Sequence, residues 1–496
     1  MYLHLVQTLR IFFWLLRDNV DMVNRAHLRQ YFASLACNLS VMASGTCFAW
    51  MEPLTMRMST EGSDLYISKE VVSWLVSVVE VGCLAAPIPS GLLADRYGRK
   101  KVLLGTSPMI LVSWMLVLFS WSWEMLTFVR MLQGLAIGTV FTVAPMYIAE
   151  ISEPEIRGQL SGHFQTTWYL GILYVYIAGK LLALDEYIAI CLAAAILFAI
   201  VFFNVPESPY YLLMKGKDDD AAASLAWCRS YRDTKDEFEE LKKAVNEDMS
   251  NKGGWKDLFA TKKDRKAFFL VQVVCITRFM TGMPSLVNYA TETFAESSGG
   301  LFTKDQLTIA LGTLLTLIAV LSAFLSDLFG RRTLLLWSSF GCAVSHFLLG
   351  LYYFMYSSLK IDVNPYSWAL YAGLVGFCFF SDIGLGPLVQ TLQAELFPSN
   401  TRALGGGISE VTAAAASFVN LKIYQPVTNN IGLYFNFWIY CIFSLAGAIL
   451  IWIYAAETAG KSLAQIQVDL KKEETCEEEQ SSEQQRNEES FKRCQC

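Results

Sequence analysis

Charge is rare in the apolar stretches of this 496-residue chain, and the few ionisable groups placed there are the ones that ask for a role. Arg278 sits inside the apolar block 266–289, and Asp382 inside the block 366–394. Glu80, Glu410 and Lys422 sit inside two others. An ionised side chain is costly in hydrocarbon, so such residues face a cavity or a partner and often mark a solute path. Arg278 and Asp382 are expected either to pair in a cavity or to find separate helix-end partners. Glu80, Glu410 and Lys422 are expected to meet partners on neighbouring helices. Other chemistry has no residues to carry it. The sequence offers no nucleophile–base set and no phosphate loop, and His4, His27, His163 and His346 show no metal-ligand spacing. The expectation is a chain that is not an enzyme and needs no cofactor or metal.

The elements that must position these residues follow from composition. Hydrophobic residues make up 54% of the chain and charged residues 17%, with a mean hydropathy of +0.37. An ordinary soluble domain carries about 25% charged residues. The apolar residues come in long blocks and not in short alternating strands. A spanning helix needs about 20 mostly apolar residues, because the bilayer core has no water to satisfy the backbone. Blocks of that kind lie near 31–53, 70–93, 101–121, 125–148, 158–181, 187–204, 266–289, 306–327, 333–356, 366–394, 404–426 and 431–455. The fold class is therefore an all-α membrane protein with twelve transmembrane helices. The short piece "IFFWLL" (11–16), flanked by Arg10 and Arg17, reads as an interfacial helix. The cysteines fall mainly inside spans, as buried or cytosolic thiols do. A net charge of −6, much of it in the tail, gives nucleic acid nothing to bind.

Charge collects where the blocks end. "DRYGRKK" (95–101) follows the second block, "EISEPEIRG" (150–158) the fourth, and "DLFGRR" (327–332) the eighth. The loops between them on the other side carry few bases. Excess Lys and Arg marks the cytoplasmic face, so both termini are expected inside. The bursts also recur in order. "PMYIAEISEPEIRG" (145–158) has Glu150 seven residues before Arg157, and "QTLQAELFPSNTRALG" (390–405) has Glu395 seven before Arg402. "VPESPYYLLMKGK" (205–217) and "AAETAGKSLAQI" (455–466) end the two halves. A duplicated six-helix unit is the pattern of carriers whose solute site lies between the halves at mid-membrane. Single surface pairs contribute about 0–1 kcal/mol. Together they are expected to form a latch between the halves that breaks when the inner gate opens.

These phrases, with "RMLQGLAIG" (130–138), resemble the sugar porter family of the major facilitator superfamily over about residues 31–466, and within it the insect facilitated trehalose and glucose carriers. The resemblance implies two pseudo-symmetric six-helix bundles that rock about a central sugar site. It maps the gate charges onto Asp95, Arg99, Lys100, Glu150, Arg157 and Glu207 in the first half. In the second half they map onto Asp327, Arg331, Arg332, Glu395, Arg402 and Glu457. Tyr210 and Tyr211 replace the arginine and bulky aromatic of the family phrase, and Ala456 and Ala459 are further departures. The pocket departs more. Gln165 matches the fifth-span glutamine. In "RFMTGMPSLVNY" (278–289), Arg278 and Phe279 stand where the family has a glutamine pair, and Pro284 replaces its asparagine. Gln390 takes the place of a tryptophan, and Ala413-Ala414 that of an Asn-Trp pair. The candidate solute contacts are Gln165, Arg278, Phe279, Asn288, Asp382 and Gln390.

Residues 31–51 contain no acid, which favours facilitated diffusion over proton coupling. The chain divides as a 1–30 cytoplasmic segment, a 31–204 bundle, a 205–265 linker of short amphipathic helices, a 266–455 bundle and a 456–496 acidic tail expected to be disordered. The expected partners are the lipid bilayer and a small solute, most simply a sugar, in the plasma membrane. A same-fold carrier of a different, charged solute and a sensor that has lost flux remain the alternatives.

Overall fold

Long apolar runs with few helix-breaking residues form long helices, and the computed structural model is helical almost throughout, with no strand among the described residues. It describes residues 27–54, 67–119, 122–231, 233–250, 254–295, 303–325, 330–397 and 401–455. The interfacial helix and the acidic tail expected from the sequence lie outside these residues, as do Asp327 and Glu457.

The first half comprises α1 (Leu28–Leu54), α2 (Lys69–Ala85 and Pro87–Tyr97, bent by 44°), α3 (Arg99–Phe119), α4 (Trp123–Ile151), α5 (Pro154–Leu181) and α6 (Leu184–Phe203). The second comprises α7 (Lys262–Asn288), α8 (Lys304–Leu325) and α9 (Arg331–Ser357). It continues with α10 (Ser367–Phe380, Ser381–Leu385 and Gly386–Leu396 in succession), α11 (Arg402–Asn430) and α12 (Leu433–Tyr454). Three shorter helices, Pro209–Met214, Asp218–Cys228 and Lys235–Ser250, connect the halves.

Among the described residues, nine helices are long and apolar enough to cross a membrane, and the bent α2 makes ten. The two that fall short are α5 and α11, each more than long enough at 28 and 29 residues but too polar. They occupy equivalent places in the two halves, and both line the central cavity. Their polarity follows from facing water and a solute instead of lipid. Lipid-type surface covers helices such as α6 and α12, where Ile200, Phe203, Ile449 and Trp452 are exposed.

Local sequence explains where helices start and bend. Ser122 caps α4 by accepting from the Met125 N–H at 3.3 Å. Thr261 and Asp264 form a reciprocal capping box at the start of α7. Arg130 of α4 is fully buried and gives its N–H groups to carbonyls at the end of α1 (Cys47, 2.6 Å) and on α2 (Leu75, 3.0 Å; Val76, 3.2 Å). One guanidinium thereby satisfies backbone groups left open where α1 ends and where α2 is interrupted at Val78.

Candidate functional site

A cavity of about 120 Å³ lies between the halves. Its wall is built from α1, α2, α4 and α5 on one side and α7, α10 and α11 on the other. Gln165, Arg278, Phe279 and Gln390 line it. Glu80 and Glu410, expected to have only neighbouring-helix partners, line it as well. Asn288 does not. It is fully buried where the helix ends, and its Nδ2 donates to the Pro284 carbonyl at 3.1 Å, one turn back on its own helix.

Asp382 stands one layer behind the wall. The chain of α10 widens into a π-helical turn over Ser381–Leu385, which carries Asp382 towards α7. There Asp382 Oδ1 lies 2.8 Å from Arg278 Nη2. Tyr169 of α5 donates its hydroxyl to the same carboxylate oxygen at 2.8 Å, and accepts from Arg278 Nη2 at 3.1 Å. Arg278 Nη1 donates to Ser381 Oγ at 2.6 Å. The buried charges are thus paired and hydrogen-bonded, the condition under which such a pair is tolerated. The phenol comes from the opposite half, so the cluster ties the halves together beside the cavity. Sequence reasoning missed Tyr169. Its signal is the phrase "FQTTWYLG", which puts Trp168 and Tyr169 one turn from Gln165 on the same helix face.

One face of the bundle is closed. Tyr176 of α5 donates to the Val287 carbonyl of α7. Glu52, at the end of α1, accepts from the Thr291 N–H at 2.8 Å and from its hydroxyl. Lys180 of α5 pairs with Asp305 of α8 at 2.9 Å. Each contact crosses between halves. Glu52 lies one residue beyond the acid-free stretch 31–51 and went unnoticed there. Closer to the cavity, Ser417 of α11 donates to Glu80 of α2. Lys422 of α11 lies 3.7 Å over the ring of Trp74 on α2, a neighbouring-helix partner of cation–π type.

The charge bursts occupy the opposite face, the basic face. Arg99 pairs with Asp95 (3.1 Å) and Glu150 (2.9 Å), and Glu150 also accepts from the Ser208 hydroxyl. The Lys100 N–H donates to Glu207 at 3.0 Å. In the second half Arg331 Nε lies 3.7 Å from Glu395, and Arg332 donates to the Trp452 carbonyl at 2.8 Å. All of these contacts stay within one half. The latch expected from the sequence is one that breaks when the inner gate opens, and in this conformation the contacts named here staple helix ends together inside each bundle. Glu150 and Arg157 do not share a helix face either, because α4 stops at Ile151 and α5 starts at Pro154. Arg157 instead donates to the Ser152 carbonyl (3.3 Å), and Arg402 makes the equivalent bond to Phe397 (3.4 Å). Across the gap between halves, Arg402 is within electrostatic reach of Arg157.

The substituted tyrosines are accommodated. Arg99 lies 6.0 Å and 5.5 Å over the rings of Tyr210 and Tyr211. The Tyr210 hydroxyl donates to Asp248 of the Lys235–Ser250 helix at 3.0 Å. Burial, reinforced by the Asp248 carboxylate, raises the Tyr210 phenol well above its ordinary range, so it stays a donor. Among the described residues no His/Cys/Asp/Glu group has the geometry of a metal site.

Comparison with known proteins bears on the same features. A family model described as "Sugar (and other) transporter" matches residues 32–470. The chain is 26% identical over 444 residues to the facilitated trehalose transporter Tret1 of Bombyx mori, covering 89% of this chain and 86% of that protein. It is 26% identical over 443 residues to Tret1 of Anopheles gambiae, of which it spans 55%. Among solved structures it is similar to the proton:xylose symporter XylE bound to 6-bromo-6-deoxy-D-glucose, with a TM-score of 0.74 and 20% identity, covering 89% of this chain and 99% of that one. The inward-open form of XylE from E. coli gives a TM-score of 0.70 at 19% identity, covering 88% and 98%.

Proposed function

The chain belongs to the sugar (and other) transporter family, and from that membership and the cavity we propose that it carries a sugar or sugar-like solute across a membrane by alternating access. It is a multi-pass membrane protein with the major facilitator fold. The observation that carries the reading is a cavity between two six-helix halves, closed on one face by Glu52–Thr291, Tyr176–Val287 and Lys180–Asp305. We assign the basic face to the cytoplasm because Lys and Arg gather there, which places both termini inside and the closed face outside. The plasma membrane is the proposed location. Gln165 and Gln390 supply amide groups for solute hydroxyls, and Phe279 supplies a ring face for the C–H side. The gate charges are paired within each half in this state, and across the basic face Arg402 is within electrostatic reach of Arg157 as well as of Asp248. Closing that face requires them to exchange into cross-half pairs.

Facilitated transport fits the absence of an acid at 31–51, and Glu52 at the closed face acts as a gate hydrogen-bond acceptor. Uptake of labelled glucose and trehalose in oocytes tests the reading. Saturable uptake that persists when the proton gradient is collapsed supports it. A folded, surface-delivered protein without uptake of either solute or of any other sugar or polyol opposes it.

A further inference from the structure

We infer that the solute of this cavity is a small protonated amine that also carries hydroxyl groups, of the amino-sugar class, and not a neutral hexose. The inference rests on the carrier reading above and narrows its substrate class.

With both of its glutamates ionised, the charges of the wall do not balance. Among the described residues its one cation is Arg278, already matched by Asp382 at 2.8 Å and held by Tyr169 and Ser381. Two carboxylates enter the same wall, Glu80 from the first half and Glu410 from the second. Neither is in an ion pair among the described residues. Glu80 accepts from Ser417, and although Arg130 is within electrostatic reach, its N–H groups are spent on the carbonyls of residues 47, 48, 75 and 76. Glu410 has Gln393 as its polar neighbour.

The rings of the same wall suit a cation. Phe141 meets Trp168 edge-on at 4.9 Å and 84°, and Phe48 packs on Trp168 at 5.3 Å. All three line the cavity and form an aromatic corner in the first half, the half that also carries Glu80. Aromatic faces attract ammonium groups, most strongly when water is excluded. When the cavity closes around a neutral sugar, both carboxylates lose water and gain no counter-charge. An anion would meet two like charges with the only cation already neutralised. A protonated amine supplies the missing charge, while Gln165 and Gln390 remain for its hydroxyls.

Purified full-length protein in lipid nanodiscs, titrated with glucosamine, glucose and N-acetylglucosamine and read by tryptophan fluorescence, tests this. Glucose matches the amine in size and N-acetylglucosamine is larger, so size alone cannot mimic charge. The expected result is glucosamine binding at least about tenfold tighter than either neutral sugar. Glu410→Gln, and independently Glu80→Gln, which keeps the hydrogen bond from Ser417, each reduce that preference about tenfold, read as the ratio of glucosamine to glucose affinity. Equal or tighter binding of glucose in the unsubstituted protein overturns the inference. So does a glucosamine preference unchanged in both variants. If glucose counterflow persists while the amine preference is absent, only the substrate class fails. If no probe binds and no counterflow is seen, the carrier reading fails with it.

Discussion

At the scale of single residues, the Arg278–Asp382 pair sets the energetics of the site. Removing one partner leaves the other charged and buried, at a cost of about 3–5 kcal/mol. Asp382→Asn or Arg278→Gln alone is therefore expected to lower the unfolding midpoint sharply in detergent melts, and the double variant Arg278→Gln/Asp382→Asn to recover much of the loss. Melting of the double variant at or below the worse single one would show that the two groups act separately. Outside the membrane, Cys228 is buried in the Asp218–Cys228 helix, and burial pushes its thiol up to about 12. At pH 8 it is therefore a neutral thiol and a poor nucleophile. Maleimide labelling of the peptide containing Cys228 is expected to be slow in folded protein and fast in denaturant; fast labelling of the folded state would place the thiol at the surface. Arg278 and Asp382 were legible in the sequence because a charge within an apolar block is expensive and needs a reason. Tyr169 was not, because a tyrosine in a span is ordinary and its bond to Asp382 joins residues 213 apart in the chain. Asn288 misled because residue type gave an amide, while the helix end that turns it onto Pro284 is set by packing.

At the scale of elements, close helix crossings make the bundle rigid. The α2–α4 crossing depends on Gly82 and Gly134: a Cβ at Gly134 would lie 1.9 Å from the Val79 carbonyl oxygen. Gly134→Ala is expected to force these helices apart and cost about 1–3 kcal/mol, seen as a lower melting temperature. Gly282 marks the break in α7 with φ +92°, and a Cβ there would meet the Tyr440 ring at 2.5 Å. Gly282→Ala is expected to destabilise through both strain and clash, and an unchanged melting temperature would show that the break can relax. Helix order was readable from apolar block length. The breaks at Ala86, Gly282 and Ser381 were not, because a bend needs the neighbour that satisfies its open backbone groups. The polar helices α5 and α11 were legible as the apolar blocks 158–181 and 404–426, although both are too polar to match the other spans.

At the scale of the whole molecule, the duplication revealed two matched halves and the basic bursts marked one face. The conformation could not be read, since the same charges can pair within a half or across halves and the choice depends on which face is closed. Here the closed face is sealed partly by Lys180–Asp305, in which Asp305 is half exposed, so this pair contributes only about 0–1 kcal/mol. The buried Glu52–Thr291 contact contributes more. Glu52→Ala is expected to loosen that face more than Lys180→Ala, measured as faster labelling of a Val287→Cys reporter by an impermeant maleimide added outside. The reverse order would place the closure at the surface pair. Solute counterflow in proteoliposomes addresses alternating access most directly. Vesicles preloaded with unlabelled solute, glucose or glucosamine, should accumulate the labelled form transiently with no proton gradient, because each reorientation of the halves exchanges one molecule for another. Protein that is folded and binds the solute yet gives no transient accumulation would contradict the carrier mechanism.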